Sequence, residues 1–140
     1  MPFDPASIPL YAVIRCDYQF RPDGLPEPKL FTCLGHLDGC AFCLKATSRV
    51  EPYVNNRERL AGVLYYEAGA VQCFDKPTVI EPSNQFPLLH TNLARQYASN
   101  RLSIAGQMPE DFPQQLARAV RASVTLDARQ QGRILRVLGV

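Results

Sequence analysis

The decapeptide GCAFCLKATS, residues 39–48, holds several of the side chains in this chain that could do chemistry. Cys40 and Cys43 make its single C-x-x-C, a spacing shared by zinc knuckles and redox pairs. A structural zinc site takes four ligands, normally from a second knuckle or two histidines. Cys16, Cys33, Cys73, His36 and His90 are scattered and supply no second knuckle. Redox thiols of the thioredoxin kind sit at a helix N-terminus, whereas this pair lies in an apolar, strand-like run. Residues three apart in a strand face opposite sides, which keeps these thiols off one metal. They read as structural thiols, with no metal and no cofactor expected.

Thr47, Ser48 and Arg49 close the same stretch. Hydroxyls and a cation at a strand end suit a phosphate or sugar backbone, although the same residues also serve plain turns. Arg21 and Lys29 flank the loop before the second strand, and Arg118, Arg121, Arg129, Arg133 and Arg136 mark the C-terminal third. A basic helical face of that kind meets phosphates or is simply solvated. His36 and His90 are the two histidines, and either is able to move a proton near neutral pH. Neither stands in a triad-like arrangement, and no Gly-rich phosphate loop is present. Tyr53, Tyr65 and Tyr66 suit base stacking or core packing.

The elements that must position these residues change character along the chain. Residues 11–20 (YAVIRCDYQF) read as a strand, followed by a loop around Asp23-Gly24 and a second strand over Lys29–Leu34. A hairpin over residues 35–39 leads into a third strand, Cys40–Ala46. Residues 48–59 read as a polar loop, Leu60–Tyr66 as a strand, and Thr78–Ile80 as a short strand fenced by Pro77 and Pro82. Close-set short strands point to a small barrel or sandwich. The last third turns helical, with a short helix over Thr91–Ala98 opened by Thr91 and an extended segment over Leu102–Ala105. A helix then begins at Pro109 with Phe112, Leu116, Ala119, Val120 and Ser123 on one face. Thr125 or Asp127 caps a final helix carrying Ile134, Leu135 and Leu138. The expectation is a single domain over 1–140, mostly β, with C-terminal helices.

At 140 residues, 46% hydrophobic and 20% charged, the chain can bury a core of its own, which excludes a disordered tract. A net charge of +2 neither requires nor excludes a nucleic-acid partner. The opening MPFDPASIPL has no basic stretch followed by an apolar run, and no segment reaches the ~20 apolar residues of a membrane span. A cytoplasmic protein with reduced thiols and no membrane partner is expected.

The order of signals resembles the MazF/PemK-like toxin family over roughly residues 10–125. The likeness rests on YAVIRCDYQF, the Asp-Gly loop, Pro28-Lys29-Leu30-Phe31-Thr32-Cys33-Leu34, the strand ending Ala46-Thr47-Ser48, and Cys73-Phe74-Asp75-Lys76-Pro77-Thr78-Val79-Ile80. It implies a small SH3-like β-barrel over about 10–90 with a helical part over about 91–140, usually a homodimer that also binds an antitoxin protein. It further implies metal-independent cleavage of single-stranded RNA. Thr47 and Ser48 match the family's threonine and adjoining serine. Lys29 stands where the family carries arginine, after Pro28, while Arg21-Pro22 keeps the Arg-Pro order but precedes the Asp-Gly turn. The family's Gly-Asp opening of the first strand is missing. Lys29, Thr47, Ser48 and Arg21 are thus the implied catalytic set, with Arg49 and His36 beside them for substrate. Lysine lacks the planar fork with which arginine clamps two phosphate oxygens, so a catalytically degenerate barrel that binds protein or RNA is the alternative.

Overall fold

The computed structural model describes residues 3–19 and 21–140. Strands β1 (Ala12–Tyr18), β2 (Glu27–Leu37) and β3 (Cys40–Thr47) form an antiparallel meander. Its second turn is Asp38-Gly39, at φ 53° and 75°. Left-handed φ at both positions matches the twist of the flanking strands, and glycine adopts it without strain. Strand β5 (Thr78–Leu89) pairs with β3, β4 (Leu64–Tyr66) with β5, and β6 (Ser103–Gln107) with β1. The sheet runs β4-β5-β3-β2-β1-β6, antiparallel throughout. Register breaks at Val13/Ile14, Cys33/Gly35 and Leu44/Ala46 bend and twist the strands, so the sheet is curled. Among the described residues its ladder ends at β4 on one side and at β6 on the other.

Alternation along the strands fills a core on each side. Val13, Leu34, Leu44 and Ile80 pack under α4 (Phe112–Ala122) and α5 (Ala128–Leu138), against Phe112, Leu116, Val120 and Ile134. Ile14, Phe31, Cys33 and Cys43 face the other way, against Ile8 of the N-terminal segment and Leu93 of α3 (His90–Ala98). A sheet covered on both sides needs apolar residues at successive positions, which explains runs such as AVI and CAFC. Gln96 fastens α3 to β1, its amide oxygen accepting from Asp17 N at 2.8 Å and its nitrogen donating to Asp17 O at 2.9 Å. Asp127 and Gln130 form a capping box that opens α5, and Gly139, at φ 77°, closes it.

Several boundaries differ from the sequence reading. The first strand begins at Ala12 and ends at Tyr18; the expected Phe20 end lies outside the described residues. The stretch read as a polar loop contains α1 (Glu51–Val54) and most of α2 (Arg57–Ala61), and Leu60 belongs to α2 rather than to a strand. Thr91 does not open α3; Leu89 holds the cap position and makes no side-chain cap. Pro82 does not stop β5, which runs on to Leu89. It falls in the register break between Ile80 and Gln85, and β4 flanks β5 only at Thr78–Ile80. Beyond Ile80 the strand is an edge, where a missing N–H is tolerated. Among the described residues no helix is long and apolar enough to cross a membrane.

The short helices are held by a buried carboxylate. Glu81 on β5 is 7% exposed. It accepts hydrogen bonds from Tyr53 Oη of α1 and, at 3.1 Å, from Thr125 Oγ1 before α5. Arg59 of α2 approaches it at 4.0 Å and lies over the Tyr53 ring, 4.6 Å from the centroid. Burial, reinforced by Glu81, pushes the Tyr53 hydroxyl up to about 12, so it remains the donor. Removing the carboxylate strands these partners: Glu81→Ala should lower unfolding stability by about 3 kcal/mol in urea titrations. Thr32 makes the opposite case, since its fully buried Oγ1 has no hydrogen-bond partner. Thr32→Val keeps the shape and removes an unsatisfied group, so Tm should rise or hold in calorimetry.

Candidate functional site

A cavity of about 420 Å³ lies where the ends of β2 and β3 meet the segment leading into β5. Lys29 of β2 and Thr47 of β3 line it with Ser48. The pair Phe31–Lys45 is the last rung on this side, and the same register continued two residues sets Thr47 opposite Lys29. Arg15 of β1 joins them from a position paired with Leu30. Lys45 of β3 and Lys76 add two further cations, and Asp75 is the one acid among the described lining residues. Alternation gives Arg15 the side of Val13, under α4, and Lys45 and Thr47 the opposite side from Leu44 and Ala46. The cavity therefore draws its charges from both sides of the sheet end.

The cations press on one another. Burial lowers the Lys45 ammonium below its ordinary value, helped by the positive charges of Lys29 and Arg49. A site where like charges crowd and water is partly excluded favours an anion that would relieve the repulsion. Lys29 also meets Glu27 at 3.5 Å, a half-exposed contact of small energetic weight. Thr47 Oγ1 accepts from the backbone N–H of Arg49 at 3.1 Å, which leaves its own O–H to donate elsewhere. Thr78 Oγ1, also at the cavity, donates to Lys76 O at 2.9 Å and steadies that lysine's backbone.

Of the residues picked out from sequence, Lys29, Thr47 and Ser48 come together here, and Arg49 stands beside them through Thr47 and Lys45. Arg21 sits apart in an exposed turn, its carbonyl accepting from Gly24 N at 3.0 Å. His36 is at the other end of β2, seven residues from Lys29, or roughly 23 Å at strand rise. Arg15, Lys45, Asp75 and Lys76 were missed. A signal existed for two of them: a lone cation interrupts an otherwise apolar strand in AVIRC and in CLKAT. The C-x-x-C thiols separate as strand geometry requires, Cys43 buried under the N-terminal segment and Cys40 lining a groove beside α5. Among the described residues no group of three or more His, Cys, Asp or Glu is placed to hold a metal.

His36 instead pairs with His90. His36 Nε2 donates to Ile8 O at 2.8 Å, so the neutral His36 ring offers Nδ1 as an acceptor and His90 Nε2 donates to it across 2.9 Å. One proton suits that gap and two repel. Burial and the facing His36 lower His90 below its ordinary 6.5, with Asp4 pulling the other way. A histidine depressed in the fold stabilises it above the unfolded value and loses that contribution as pH falls through the folded value. Denaturant midpoints should hold above pH 6.5 and decline below it, and His90→Gln should flatten that decline. Compared with known proteins, the chain matches no family model and no curated protein in sequence.

Proposed function

We propose that this protein binds single-stranded RNA in the Lys29–Thr47 cavity and cuts it without a metal ion, as a MazF/PemK-like toxin. The fold would then be an SH3-like barrel, working in the cytoplasm as a homodimer under the control of an antitoxin protein. One observation carries the reading: Arg15, Lys29, Lys45 and Lys76 gather with the hydroxyls of Thr47 and Ser48 around a cavity of nucleotide-compatible size. Cations and donors at that density suit a phosphodiester, whose charge they neutralise and whose oxygens they bond.

The chemistry follows from what each group can do. Cleavage within RNA uses the 2′-oxygen as nucleophile on the adjacent phosphorus, giving a 2′,3′-cyclic phosphate and a free 5′-hydroxyl. Asp75 takes the 2′-proton as general base. Arg15 and Lys29 hold the charge that builds on the non-bridging oxygens, and the Thr47 hydroxyl donates to one of them. Lys45, whose ammonium is lowered by burial and by its neighbours, protonates the departing 5′-oxygen. Arg21 and His36 have no part in this scheme because they lie elsewhere. Binding without turnover is the second reading. It is favoured by the lining itself, where lysine fills the arginine place and no histidine stands among the described lining residues.

A defined single-stranded RNA incubated with the protein and a chelator decides between them. Wild type should release fragments ending in cyclic phosphate, and Thr47→Ala and Asp75→Asn should each slow release about a hundredfold. Arg15→Ala should weaken RNA binding and reduce its salt dependence. Binding without fragments would favour the module, and no binding at low salt would overturn both readings.

A further inference from the structure

On the same face of the sheet as Lys45, two residues along β3 from it, two thiols stand directly across a strand pair. Cys33 of β2 and Cys43 of β3 are register partners, and both are fully buried in the same cluster. Directly opposed residues in an antiparallel pair have Cα atoms about 4.5 or 5.5 Å apart, within the span a disulfide bridges. We propose that Cys33 and Cys43 are a peroxide-reactive thiol pair that closes to an intrachain disulfide, with Cys33 attacking and Cys43 resolving.

The surroundings set the order of events. Cys33 Sγ lies 3.8 Å from His36 Nε2 and 3.8 Å from Gly35 O. Cys43 Sγ contacts Ala41 O at 3.6 Å. The facing Cys43 thiol pulls the Cys33 thiol down, against its burial, and His36 pulls the same way. Cys33, with burial, pushes Cys43 up. Cys16, in the same cluster, is driven to about 12 by burial and by Asp17, which makes it a bystander. Reactivity follows the thiolate, so one of the three leads.

What covers the pair is Leu93 of α3 together with a strap, the N-terminal segment at Ile8, which the bond from His36 Nε2 to Ile8 O holds in place. Lifting the strap is a local opening that leaves the sheet intact. The Cys33 thiolate then attacks one peroxide oxygen, the O–O bond breaks, and the other oxygen leaves as hydroxide and is protonated to water. Cys33 is left as a sulfenic acid. The Cys43 sulfur attacks the Cys33 sulfur, the S–O bond breaks, and hydroxide departs with the Cys43 proton as a second water. Two thiols and one peroxide become one disulfide and two waters.

The unmodified chain tests this under native conditions, with hydrogen peroxide as the probe. Its mass should fall by two hydrogens, peptide mapping should place the link between Cys33 and Cys43, and a dithiol should restore both thiols. Cys43→Ser should stop the reaction at a Cys33 sulfenic acid trapped by a dione reagent, and His36→Gln should slow it. Cys33 should react roughly tenfold or more faster than Cys16. Intact thiols after native treatment would overturn the proposal, as would a link to another cysteine or equal rates at Cys16 and Cys33.

Discussion

A single antiparallel sheet covered on both sides sets the terms for everything else in this fold. Each of the three meander strands must offer apolar groups in both directions, so Val13 and Ile14 on β1, or Cys43 and Leu44 on β3, serve different cores from adjacent positions. That leaves little room for polar side chains along the strand middles. The three register breaks keep this arrangement from being flat: each adds twist, and together they curl the sheet around α4 and α5. A buried middle then leaves most charged side chains to the strand ends, where chain direction changes and water has access.

Two strand-end groupings result, and they differ in kind. At the Lys29–Thr47 end, like charges crowd with few carboxylates to balance them. At the His36–His90 end, polar groups are satisfied by one another and by the N-terminal backbone. The first gathers its charges around a shared cavity, and the second satisfies its polar groups internally. Glu81 shows the third solution, a charge kept inside because three side chains converge on it. Its partners lie in sequence before and after β5, so one carboxylate joins the short helices to the C-terminal pair.

The meander was legible because apolar runs and an Asp-Gly turn are local signals, and so were α4 and α5, whose helical periodicity and Asp127 cap lie within the segment itself. The short helices α1 and α2 were not, since their stability comes from Glu81, more than twenty residues away in sequence. β5 runs past Pro82, which fences the short strand in sequence, because that proline falls in a register break and most of β5 is an edge. In the cavity, Lys29 and Thr47 could be found from the strand ends, but Asp75 and Lys76 arrive from a loop whose position only the folded sheet fixes. His36, expected in the hairpin after the second strand, lies within β2 itself, and the length of that strand separates it from Lys29.

The prolines of β5 have one more effect. An uncovered edge invites another chain to add a strand, and β5 beyond Ile80 is long enough to do so. Pro82 and Pro87 remove donors from that row, and the break at residues 81–84 spoils its spacing. Pro82, where the sequence ends the strand, and Pro87 thus leave the edge a poor template for another chain.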